Sequence, residues 1–106
     1  IINESLGMLK EATEFLQMDK DYAIKDIQRY VHTIKGSFAY FYVDEITTQA
    51  HNFEMFLESY FHERQCPPEL KAEIQDKIMS LQIFIECFID HYDGIIQFKS
   101  GLSTKS

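Results

Sequence analysis

The chain has 106 residues, 45% hydrophobic and 14% aromatic, enough to enclose one core and hardly two, so a single domain is expected. A formal net charge of −7 leaves no overall electrostatic footprint for nucleic acid or an anionic membrane, since both need a basic patch. The strongest apolar run, Ile78 to Ile89, is broken by Ser80, Gln82 and Glu86 and is too short to span a bilayer, and nothing at the N-terminus reads as a signal peptide.

Apolar residues recur at helical spacing almost throughout, and the only two prolines are adjacent at Pro67-Pro68, so the fold class is all-α. The first helix is expected from about Asn3, as its N-cap, to about Met18, with Ile2, Leu6, Leu9 and Leu16 facing inward. Asp19-Lys20-Asp21 forms the connection. The second helix carries Ile24, Ile27, Val31, Ile34, Phe38 and Phe41, whose alternating steps of three and four define a bundle-facing seam. His32 follows Val31, which rotates it roughly 100° off that seam toward solvent.

A third helix should open at Asp44, as N-cap, with Ile46, Ala50, Phe53, Leu57 and Tyr60 inward and Glu54 on the edge of the stripe. Pro67-Pro68 then opens a fourth, with Leu70, Ile74, Ile78, Leu81, Ile85 and Phe88 inward. It either continues past Asp93-Gly94 or gives way there to a short fifth helix. Short connections between these elements favour an antiparallel up-and-down four-helix bundle. The domain is expected over residues 1–99, with 100–106 as a polar tail or linker, and the missing initiator methionine reads as a segment of a longer protein. Cys66 and Cys87 cannot easily pair if the chain between them is helical from Pro68, because that helix alone spans about 28 Å. Free thiols suit a reducing cytosol, and a cytoplasmic location is expected.

The chemistry concentrates in His32-Thr33-Ile34-Lys35-Gly36-Ser37 and in Glu54, twenty-two residues after the histidine. Midway between His32 and Glu54 lies Val43, in the expected turn, so equal lengths of the two helices bring both side chains to one level. A carboxylate that accepts a hydrogen bond from one imidazole nitrogen orients the ring and leaves the other nitrogen nucleophilic. Glu54 would hold His32 through Nδ1–H and leave Nε2 free. Lys35, one turn along, could pair with phosphoryl oxygens as a point charge. At Gly36, the i+4 neighbour of His32, any larger side chain is expected to crowd the ring and block an approaching partner. A glycine inside a helix costs about 1 kcal/mol against alanine, so its presence asks for a reason. His51, one turn before Glu54, could extend the polar cluster. Together these groups are the equipment of a phosphoryl carrier.

Each residue alone has a plainer reading: a surface histidine, a solvated lysine, a packing glycine, a carboxylate on a wet face. Their mutually consistent positions on two helices whose seams were defined without them favour the functional one. His62 and His91 have no evident partners. Cys87-x-x-x-His91 offers two metal ligands where a closed site wants about four, so no metal is expected. The paired Glu-x-x-His segments of di-iron bundles and a phosphate-binding glycine loop are both missing, so no cofactor and no ATP site are expected.

The run from Val31 to Glu54 resembles the histidine-containing phosphotransfer (HPt) family, whose hallmark is a histidine followed by x-Leu-Lys-Gly and, on the next helix, a glutamate. Here it reads His32-Thr33-Ile34-Lys35-Gly36-Ser37, then Ala39, Ile46, Ala50 and Phe53-Glu54. His51 and Phe41 look more like the N-terminal phosphotransfer domain of the chemotaxis kinase CheA. The chain departs from many members at Tyr42, where they have glycine, and at Phe38, where a smaller residue is common.

The resemblance implies a domain of a bacterial two-component phosphorelay, within a CheA-like or hybrid sensor histidine kinase. His32 would be the phosphoacceptor, Lys35, Glu54 and His51 its tuning partners, and Gly36 the clearance residue. A response-regulator receiver domain would dock around Gln28, Arg29 and Tyr40, and a kinase catalytic domain would supply ATP and magnesium. The competing reading is a phosphorylation-silent helical-bundle interaction module. A monomer, with no nucleic-acid or membrane contact, is the expected state.

Overall fold

Helical periodicity in the sequence becomes four helices, α1 (Ile2–Gln17), α2 (Ala23–Tyr40), α3 (Asp44–Glu58) and α4 (Pro68–Thr104), in a computed structural model. It describes the backbone of residues 2–40 and 43–104 and the side chains of 3–40, 43–88 and 90. Each helix packs on the next and α1 closes the ring against α4, which is an antiparallel up-and-down four-helix bundle. Contact is most extensive between α2 and α3 and least between α3 and α4. No strand occurs among the described residues, and no helix among them is long and apolar enough to cross a membrane.

The seams are the core. From α2, Ile24, Ile27, Val31, Ile34 and Phe38 are buried; from α3, Ile46, Ala50, Phe53 and Leu57; from α4, Leu70, Ile74, Ile78, Leu81 and Ile85. Leu9 and Leu16 of α1 join them, together with Ala12, which the stripe read from the sequence omitted. Leu6, Tyr60 and Phe88 are only partly buried against this core. At one end Phe88 meets Phe38 edge to face, ring centroids 5.8 Å apart, so the bulky seam residue of α2 is accommodated by an aromatic partner on α4.

The opposite end is held by the two loops that share it. The Tyr22 amide donates to the Arg64 carbonyl at 2.9 Å, Asp21 accepts from Arg64 Nε at 3.0 Å and from Gln65, and Lys71 reaches Asp19 at 2.6 Å. Asp19 and Tyr22 take left-handed backbone conformations, with φ of 53° and 57°. The unusual turn thus brings its polar groups onto the α3–α4 loop and ties one hairpin to the other.

Several expected boundaries are corrected. Asn3 lies inside α1, which starts at Ile2 and ends at Gln17. Asp44 is the first residue of α3 and not its cap; Val43 precedes it without a side-chain cap bond, and Asp44 instead places its charge in the first turn, where the helix dipole favours an anion. Of the two readings at Asp93-Gly94, the fourth helix takes the continuous one and runs to Thr104, with no separate fifth helix among the described residues. At 37 residues it is about 55 Å long, twice the length of α2. Both cysteines are free. Phe41, Tyr42 and the side chains of Ile2 and His91 lie outside the described residues.

Ile78 is fully enclosed between helices. Ile78→Ala is expected to lower stability by about 2–5 kcal/mol through lost transfer energy and the cavity left behind, read from the urea unfolding midpoint.

Candidate functional site

Val31 and Ile34 are both buried, and between them the α2 backbone turns His32 outward, leaving its side chain 64% exposed. On α3, Phe53 and Leu57 anchor the facing turn, and the small buried Ala50 lies one turn before Glu54. The two helices therefore present His32 and Glu54 at the same level: Nδ1 of His32 lies 2.5 Å from Oε2 of Glu54. Lys35 Nζ donates to the other oxygen, Oε1, at 2.7 Å.

Two features of this cluster differ from the sequence reading. Glu54 is not at a wet edge; only 5% of it is exposed, beneath the imidazole and the ammonium that it binds. Lys35 is not a free cation awaiting phosphoryl oxygens but is paired with Glu54 and largely covered. An ammonium has three N–H bonds, so Lys35 can keep this partner and still donate to an incoming anion. The signal for the pair was available, since Lys35 lies one turn from His32 and so falls on the same side of α2.

Burial alone would raise the Glu54 carboxyl, but the hydrogen bonds from Lys35 and His32, with their charges, outweigh it and hold the group below the usual carboxylate range. Ionised, Glu54 can only accept. The bridging proton is accordingly assigned to Nδ1, and in the neutral ring Nε2 keeps its lone pair and faces outward. The site thus contains an aimed nucleophile with a fixed tautomer.

Gly36 is exposed, and a Cβ built on it meets nothing within 4 Å. The expectation that a side chain there would crowd the ring is corrected at the level of an alanine, and so is the reading as a packing glycine. No described residue demands glycine over alanine at this position. His51 is exposed and makes no hydrogen bond or ion pair among the described residues, so it does not extend the cluster. Arg29 and Tyr40 are exposed and Gln28 half-buried. Sequence reasoning missed that Arg29 is tied to Asp26, an i,i+3 pair readable from spacing alone. No group of three potential metal ligands occurs among the described residues.

A depressed carboxyl pKa contributes stability that is fully present above the unfolded value of about 4.3 and is lost as pH falls through the folded value. Glu54→Gln is therefore expected to cost about 1–3 kcal/mol at neutral pH, with the gap to wild type narrowing toward pH 3, measured by urea unfolding across that range. Gly36→Ala, by contrast, should raise stability by up to about 1 kcal/mol in the same assay, because the helix gains propensity and loses no contact.

The family model described as Hpt domain matches residues 2–84, which takes in α1, α2 and α3 and every member of the His32 cluster. No curated protein and no solved structure matches the chain. The bundle, the motif on α2 and this match agree, and the chain belongs to the Hpt domain family, the helical bundles that carry out histidine phosphotransfer in phosphorelays.

Proposed function

We propose that His32 is the phosphoacceptor and that it exchanges a phosphoryl group with the aspartate of a receiver domain in a bacterial two-component pathway. The observation that carries this reading is the 2.5 Å contact between Nδ1 and the Glu54 carboxylate, which leaves Nε2 as the outward lone pair. In the forward step that lone pair attacks phosphorus, the N–P bond forms and the P–O bond to the partner's carboxylate breaks. Positive charge develops on the ring as its second nitrogen is substituted, and Glu54, already ionised, stabilises it without reorganising. The return step breaks the N–P bond and restores the neutral ring with its proton still on Nδ1.

Lys35 neutralises Glu54 and has N–H bonds left for a phosphoryl oxygen. Gly36 leaves the helix surface bare beside the nucleophile, and the receiver docks over Gln28, Arg29 and Tyr40 on that face. His51, exposed one turn before Glu54 on α3, meets the same partner. ATP chemistry belongs to the catalytic domain of a parent histidine kinase, of CheA-like or hybrid type, acting in the cytoplasm. The chain itself is a carrier more than an enzyme.

Incubation with a phosphorylated receiver domain is expected to add one phosphoryl group to the chain, seen by intact mass and lost in acid. His32→Gln should abolish the adduct. An adduct that survives the substitution, or none with several receivers, would favour a silent interaction module.

A further inference from the structure

The chain is acidic overall, yet its charge is unevenly divided. α2 carries Lys25, Arg29 and Lys35 against a single acid, Asp26, and of the four helices it alone has a positive balance. Three of the other exposed groups on α2 fall in line with two of these cations: Lys25, Arg29, His32, Gly36 and Tyr40 follow at helical steps of four, three, four and four, which places them on one face.

Burial sharpens the asymmetry. Asp26 is bracketed by Lys20 at 2.7 Å and Arg29 at 2.5 Å, and its side chain is only 17% exposed while theirs are 45% and 73% exposed. Glu54, the other acid beneath this face, is covered in the same way by Lys35 and His32. Both anions lie under their cations, so an approaching surface meets positive charge first. The N-terminal end of α2, beside Lys25, adds the positive pole of its helix dipole.

From this layering we infer that the partner docking over His32 presents an acidic surface, and that Lys25 and Arg29 recognise it by charge. The inference rests on the carrier reading and names its partner's chemistry. It also sets polarity: the partner's acidic patch lies about 5–10 Å from the phosphoryl toward the N-terminus of α2, and its apolar contacts lie on the other side of Gly36, against Tyr40. The positive stripe is short and the molecule behind it is negative, which favours a folded acidic protein over a polyanion such as DNA.

The test is the rate of transfer from a phosphorylated receiver domain with acidic residues around its phosphoaspartate, at about 30 mM and about 300 mM salt. The recipients are the wild-type chain, Lys25→Glu with Arg29→Glu, and the charge-keeping pair Lys25→Arg with Arg29→Lys. Wild type should slow by about tenfold at the higher salt. The reversed pair should be at least about tenfold slower at low salt and nearly insensitive to it, while the charge-keeping pair follows wild type. Rates that ignore both salt and charge reversal overturn the inference, as does charge-dependent binding of a short DNA duplex without charge-dependent transfer. Labelling of wild-type His32 by phosphoramidate needs no docking face and separates the two readings. A labelled chain with charge-blind transfer sinks the acidic partner alone, whereas an unlabelled one sinks the carrier and this inference with it.

Discussion

Glu54 stays ionised although it is covered, and the arrangement around His32 follows from how that is possible. A buried carboxylate persists only when its oxygens are satisfied, and here one takes the Lys35 ammonium and the other the His32 N–H. The same two bonds that keep the carboxylate charged fix the ring orientation and the position of its proton. Stability and nucleophile geometry are therefore properties of one contact.

That contact depends in turn on the α2–α3 interface. Two donors and the two carboxylate oxygens must be held to within about 0.5 Å, and rigid helices with interlocked seams do this better than loops could. Val31 and Ile34 on one helix, and Phe53 and Leu57 on the other, set the rotation of each polar group by being buried themselves. At one end the Asp19–Asp21 loop grips the Arg64–Lys71 segment, and at the other Phe38 meets Phe88, so the interface is braced at both ends. The core serves the site by preventing α2 from turning about its own axis.

Above this interface the surface of α2 is layered, with acids beneath and cations outside, and with bare backbone at Gly36 next to the imidazole. No described residue requires glycine over alanine there, in contrast to the left-handed turn at Asp19 and Tyr22, whose geometry is used internally. The division supports the proposed docking face, since a feature that costs stability and has no internal use is where a partner is expected.

The sequence by itself determined the helices, their order and their inward faces, because a period of 3.6 and a pair of prolines are local signals that packing did not overrule. It also placed His32 outside and level with Glu54, since residue counting along two antiparallel helices suffices for that. Where it erred, the deciding terms were not local. Asp44 has a capping residue's type, yet Val43 holds the position before the helix and Asp44 is its first residue. Only the tertiary structure decided that Glu54 is covered, that Lys35 is its partner, that His51 stands apart and that Gly36 faces open space. Each of these is fixed by how close two helices come and how far each is rotated, and a spacing along one chain does not contain that distance.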